Sequence, residues 1–213
     1  MENGVARQVT RAKFELGRPS RQLSPRLFDF LPDGRIVAMS NDKGREGLVL
    51  VRPETGTLEP VMPELVGTGP MAVSGNRIYL VAGYADRPGG LFAYDVSDGK
   101  LTLLREFQAT VLPREYVSTG ELVSYATGGG ETAHGFYYPP RNPGFRGPAG
   151  EAPHLVVTVH GGPTSHTTPE LSLRKQFWTT RGFALFDLNY CGSTGFGRRY
   201  RHSLYPHWGS KDV

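Results

Sequence analysis

Cysteine occurs once in the 213 residues, at Cys191. An intrachain disulfide is therefore excluded, and so is any C-x-x-C metal or redox motif. No run of about 18 apolar residues exists that could cross a membrane as a helix. The N-terminal stretch MENGVARQVTRAKF has no apolar core of the kind a secretory signal needs, so a cytoplasmic, reducing setting is expected. Neither sign of charge dominates, with 24 Lys and Arg against 20 Asp and Glu. Basic residues crowd only at Arg7, Arg11, Lys13, Arg18, Arg21 and Arg26, and again at Arg198, Arg199 and Arg201. No aromatic-rich RNA-binding signature accompanies either cluster, so both read as solvated faces, and no nucleic-acid or membrane partner is expected.

Several catalytic motifs are also missing. There is no H-E-x-x-H, and His134, His154 and His166 show no ligand spacing. No G-x-x-x-x-G-K-[ST] occurs, and GSTGFG from Gly192 lies outside the G-x-G-x-x-G pattern. No metal and no cofactor is therefore expected. A G-x-S-x-G nucleophile elbow does not occur either, because CGSTG places its serine at the wrong offset.

Glycine and proline are plentiful, at 28 and 17 residues. Such punctuation favours short strands and turns over long helices. The first half repeats itself. Arg35-Ile36 matches Arg77-Ile78, Gly47-Leu48 matches Gly90-Leu91, and Gly56-x-Leu58 matches Gly99-x-Leu101. The offsets are 42 or 43 residues. Each unit reads strand, polar loop, strand, turn, strand. A period of about 40–45 residues with several strands per unit is the mark of β-propeller blades. About two blades are expected in residues 1–115, with a piece of another before Arg35. A propeller closes with roughly four to eight.

The pattern changes after Glu106. ELVSYA (121–126) and TAHGFYY (132–138) predict a β-hairpin. The Pro- and Gly-rich stretch 139–153 cannot join a ladder and predicts a surface loop. From Leu155 the run LVVTV predicts a strand buried on both faces. LSLRKQFWTTRG (171–182) carries apolar residues at helical spacing, with Gly182 as its stop. FALFDLN (183–189) predicts a second strand. Strand, helix, strand in about 35 residues is a βαβ unit with parallel pairing. The expected fold is thus mixed: propeller blades followed, over residues 116–213, by the start of an α/β-hydrolase domain.

Chemistry enters at the ends of the two parallel strands, where α/β sheets place their sites. LVVTV runs directly into His160-Gly161-Gly162-Pro163. Adjacent glycines let backbone N–H groups point at a ligand, as an oxyanion hole requires. An ordinary glycine-rich strand-to-helix turn reads the same way from these residues alone. The second strand runs into Asn189-Tyr190-Cys191-Gly192-Ser193. A phenolic hydroxyl at Tyr190 could donate to an oxyanion, or could simply be a packed aromatic with a satisfied hydroxyl.

Taken together, HGGP, then NY-x-GSTGFG about 27 residues later, then WG and DV, resemble the prolyl oligopeptidase family of serine peptidases. The stretch ELVSYATGGGETAHGFYYPP resembles that family's entry into its hydrolase domain, and the likeness extends over roughly residues 30–213. The branch it most resembles is that of the dipeptidyl aminopeptidases and acylaminoacyl-peptidases. The resemblance implies a peptide substrate. It implies that Tyr190 donates to the oxyanion, with Gly161 and Gly162 in the loop beside it. His160, Pro163, Asn189, Gly192 and Ser193 would support that loop structurally. His160 would not be the triad histidine, since the family's serine, aspartate and histidine would all lie beyond Val213. On this reading the chain is an internal fragment that is inactive alone. Cys191 departs from the family, which usually has arginine after the tyrosine. A non-catalytic propeller and hydrolase-like protein that binds peptides or partners is the alternative left open. The sequence gives no indication of an oligomeric state.

Overall fold

The computed structural model describes residues 4, 6–18, 26–107, 112–162 and 164–212. Among the described residues thirteen strands form three sheets, accompanied by two short α-helices. The first sheet holds β1 (Glu15–Leu16), β2 (Phe28–Phe30), β3 (Ile36–Asp42), β4 (Arg45–Arg52) and β5 (Thr57–Val61). Its central run is an antiparallel meander, with β1 and β2 both pairing the free side of β3. The second sheet is an antiparallel meander of β6 (Gly67–Ser74), β7 (Arg77–Gly83), β8 (Gly90–Asp95) and β9 (Leu101–Glu106).

The repeated sequence anchors fall on equivalent strands. Ile36 and Ile78 lie in β3 and β7, Leu48 and Leu91 in β4 and β8, and Leu58 and Leu101 in β5 and β9. The two sheets face each other across one core. Val37, Met39, Leu48 and Leu50 from the first meet Met71, Ile78, Leu80 and Phe92 from the second. The opposite face of the first sheet carries Ala38, Val49 and Val51 and is covered by Val9 and Phe14. That double covering explains why the four consecutive residues Leu48–Val51 are all buried, where a one-sided strand would alternate.

The third sheet is mixed, in the order β10, β11, β13, β12. The predicted hairpin is β10 (Glu121–Ala126) against β11 (Thr132–Tyr138). β12 (Leu155–Val159) and β13 (Ala184–Asn189) pair in parallel, with α1 (Leu173–Thr179) between them in sequence. Phe136, Tyr138 and Leu185 form its core against Trp178 of α1. Gln176 of α1 accepts from the Ser118 N–H and donates to the Ser118 carbonyl, both at 2.8 Å, which ties the entry segment to the helix.

One expectation does not hold. β12 is an edge strand, and Leu155, Val157 and Val159 stay 53–57% exposed on one face. The apolar run is present, but among the described residues nothing covers that face. Among the described residues no helix is long and apolar enough to cross a membrane.

Candidate active site

Parallel pairing sets the geometry. Val159 lies opposite Leu188, so β12 and β13 end side by side and release their loops on one rim. Tyr190 follows β13 by one residue. Its ring stacks on the His160 ring, with centroids 4.4 Å apart and an interplanar angle of 19°. Its hydroxyl donates to the His160 carbonyl at 3.2 Å. The two loops singled out from sequence are therefore in direct contact.

Gly161 is exposed, and a Cβ built on it would meet nothing within 4 Å, so space for a ligand adjoins its backbone. Gly162 has φ +63°, a left-handed conformation that glycine adopts without strain. Pro163 lies outside the described residues. Ser193 is fully buried and supports Tyr190 from below. Its N–H and its hydroxyl both donate to the Tyr190 carbonyl, at 3.0 and 2.7 Å. Having spent its one proton there, the Ser193 oxygen accepts from His160 Nε2 at 2.8 Å. Serine, histidine and tyrosine thus fix one another's orientation.

Gly192 has φ +105°, and a Cβ there would lie 2.6 Å from Leu204 Cδ2. A side chain is excluded both by conformation and by space. Thr194 clamps the other loop: its N–H donates to the Ser165 carbonyl at 3.0 Å and its hydroxyl to the Thr164 carbonyl at 2.6 Å. Asn189 is fully buried and pairs in both senses with Thr167, accepting from its N–H at 2.8 Å and donating to its carbonyl at 3.1 Å. The Tyr200 hydroxyl, which burial pushes far above its ordinary pKa and so keeps a donor, bonds the Asn189 carbonyl at 2.7 Å.

Cys191 is half-buried, with its sulfur 3.2 Å from Ser203 Oγ and donating to Glu131 at 3.7 Å. Among the described residues no group of three or more His, Cys, Asp or Glu side chains converges as a metal-ligand set would.

A polar layer under the rim was not singled out from sequence. Asp187 accepts from the Thr158 and Thr167 hydroxyls and pairs with Lys175 Nζ at 2.7 Å. Lys175 also donates to the Tyr138 hydroxyl at 2.9 Å and to the Thr168 carbonyl at 3.0 Å. Burial pulls the Lys175 ammonium down, but Tyr138 and Asp187 outweigh it and hold the group above its ordinary pKa. The available signal was a charged residue, Asp187, inside the otherwise apolar strand FALFDLN.

A second set reaches in from the first sheet. The turn between β3 and β4 lies against both loops. Asn41 Nδ2 is 2.9 Å from His166 Nε2, and the Lys43 N–H donates to the Gly195 carbonyl at 2.8 Å. Arg201 of the C-terminal basic cluster is anchored as well: it pairs with Glu15 of β1 at 2.8 Å, and Glu15 also accepts from the Gly197 N–H at 3.2 Å.

Residues 169–213 match the prolyl oligopeptidase family. Over these residues the chain is similar to the serine peptidases of that family. Dipeptidyl aminopeptidase BIII of Pseudoxanthomonas mexicana is 28% identical over 186 residues, covering 84% of this chain and 27% of that protein. A puromycin-hydrolyzing peptidase of Mycobacterium tuberculosis superposes with a TM-score of 0.92 at 30% identity, covering 99% of this chain and 33% of its own. An acylaminoacyl peptidase of Pyrococcus horikoshii, at 20% identity and a TM-score of 0.60, shares the fold over 84% of this chain. The chain spans about a quarter to a third of the length of these relatives.

Proposed function

We propose that this chain is part of a serine peptidase that hydrolyses short peptides by acyl transfer, to which it contributes part of the oxyanion hole. The observation that carries this reading is the contact between Tyr190 and His160 at the paired ends of β12 and β13, with open space beside Gly161. On this reading residues 1–115 are about two blades of a β-propeller, and residues 116–213 begin an α/β-hydrolase domain. The nucleophilic serine and its aspartate and histidine belong to other parts of a longer protein. The lack of a G-x-S-x-G in these 213 residues fits that arrangement, as does the fraction of its relatives' length that the chain spans. The 213-residue chain is inactive by itself.

In the reaction, the serine hydroxyl gives its proton to the histidine as its oxygen bonds the substrate carbonyl carbon and the carbonyl π pair moves to oxygen. The pair then returns, the C–N bond breaks, the amine leaves with the proton from the histidine, and water releases the acyl group by the same steps. Tyr190 donates to a neutral carbonyl at 3.2 Å, longer than the usual O–H···O distance. A developing oxyanion is the stronger acceptor and draws the same proton donor to itself. Stacking on His160 keeps the ring in place, so only the hydroxyl hydrogen has to swing. The backbone N–H groups of Gly161 and Gly162 supply further donors, whose effect grows as water is excluded.

The test is hydrolysis of dipeptide p-nitroanilides by the full-length protein, together with labelling by a fluorophosphonate. The reading expects turnover, and a labelled serine outside residues 1–213. A labelled serine within them would contradict it. A full-length protein that binds peptides but is neither labelled nor active would instead be the non-catalytic propeller and hydrolase-like binder.

A further inference from the structure

The β3–β4 hairpin belongs to the antiparallel sheets, yet it contacts the loop that follows β12 at His166 and the loop that follows β13 at Gly195. Asn41 Oδ1 accepts from the Gly44 N–H at 3.0 Å, so its Nδ2 is the atom facing His166 Nε2 at 2.9 Å. Glu46 of β4 places Oε1 3.0 Å from the same His166 nitrogen. The other Glu46 oxygen accepts from the Thr68 N–H and hydroxyl, at 2.9 and 3.0 Å. Arg18 Nη1 stands 3.4 Å from Oε1. The side chains of His166 and Glu46 are each at most 7% exposed, and Asn41 is equally buried.

This arrangement offers His166 two partners and lets it satisfy one at a time. With Nε2 bare, Asn41 donates to it. With Nε2 protonated, it donates to Glu46, and the Asn41 amide must turn over and give up Gly44. In both states the imidazole is gripped by the β3–β4 hairpin. Asn41 also lies flat on the second loop, since a Cβ at Gly195 would come 2.2 Å from Asn41 Oδ1. The residue after His166 is Thr167, which Asn189 and Asp187 hold from the opposite side.

We propose that Asn41 and His166 are positioning residues through which the β3–β4 hairpin sets where Gly161 and Tyr190 stand. The proposal rests on the reading of those two residues as oxyanion donors. Displacement of such donors by about 1 Å is enough to cost on the order of 10²-fold in rate.

Two measurements on the full-length protein test it. In the first, hydrogen exchange of the backbone over residues 160–168 is followed in Asn41→Ala. Exchange there should accelerate by about tenfold or more, while β7 and β8 keep their rates. Unchanged exchange over 160–168 overturns the proposal, and so does equal acceleration throughout. The second is steady-state kinetics on a peptide that the wild type cleaves. Asn41→Ala and His166→Ala should lower kcat by about tenfold or more, with KM changed by less than about threefold. His166→Gln can accept from Asn41 and donate to Glu46 together, and should recover kcat to within about threefold of wild type. A raised KM at unchanged kcat, or a His166→Gln as slow as His166→Ala, overturns the proposal. A wild type that cleaves nothing sinks the peptidase reading instead, and the exchange result then decides the clamp alone.

Discussion

The hydroxyl of Tyr190 donates to the main-chain carbonyl of the very histidine, His160, on which its own ring is stacked. One residue from each parallel strand end thus locks the other. The lock leaves the phenolic hydrogen able to rotate, and that rotation is the motion the proposed oxyanion role would use.

The glycines of the two loops should separate into structural and functional ones. Gly195 has φ +102°, and its Cβ would strike Asn41. Gly195→Ala should therefore destabilise the full-length protein by about 1–3 kcal/mol through backbone strain and displaced packing. Gly161 has open space where its Cβ would go. Gly161→Ala should leave the unfolding midpoint nearly unchanged, yet lower kcat/KM for peptides, because the added methyl occupies the ligand's side. Urea unfolding and steady-state kinetics of the two variants check this, and a Gly161→Ala with full activity would contradict it.

Stability should fall on the acid side through Glu46. Burial pushes its pKa up, but the hydrogen bond and charge of His166, the Thr68 N–H and Arg18 outweigh burial and hold it below the ordinary carboxylate value. A carboxylate with a depressed folded pKa stabilises above its unfolded pKa, and loses that contribution as pH falls through the folded value. Unfolding free energies measured from pH 7 down to acid should drop more steeply in wild type than in Glu46→Gln. Parallel curves would mean that the carboxylate contributes nothing by its charge.

Much of the architecture was legible because its signals are local. The blade-like repeat surfaces at the offsets of Ile36 and Ile78, the hairpin at 121–138 is bounded as expected, and parallel pairing follows from the strand–helix–strand order. The candidate site was legible where one residue type dictates conformation, as at Gly162 and Gly192. What escaped is carried by contacts between residues far apart in the chain. Asn41 and His166 are 125 positions apart, and neither belongs to a spaced motif. The exposure of β12 escaped for a related reason, since an apolar run specifies what a strand prefers to bury, not whether a neighbour covers it.

Expressed alone, the 213 residues should associate. Leu155, Val157 and Val159 on β12, with Leu103, Leu104 and Phe107 in and after β9, leave apolar strand surface exposed beside open sheet edges. Such edges pair with other chains. Light scattering and thermal unfolding should show aggregates or a broad transition. A soluble monomer with one sharp cooperative transition would refute this.

The central claim is that Tyr190 stabilises a transition state, and steady-state comparison of full-length wild type with Tyr190→Phe tests it most directly. The substitution keeps the ring on His160 and removes only the donor. If the hydroxyl serves the oxyanion, kcat and kcat/KM should fall together by on the order of 10²-fold, about 2.7 kcal/mol, with KM little changed. A kcat within about threefold of wild type would contradict the account and leave Tyr190 as packing.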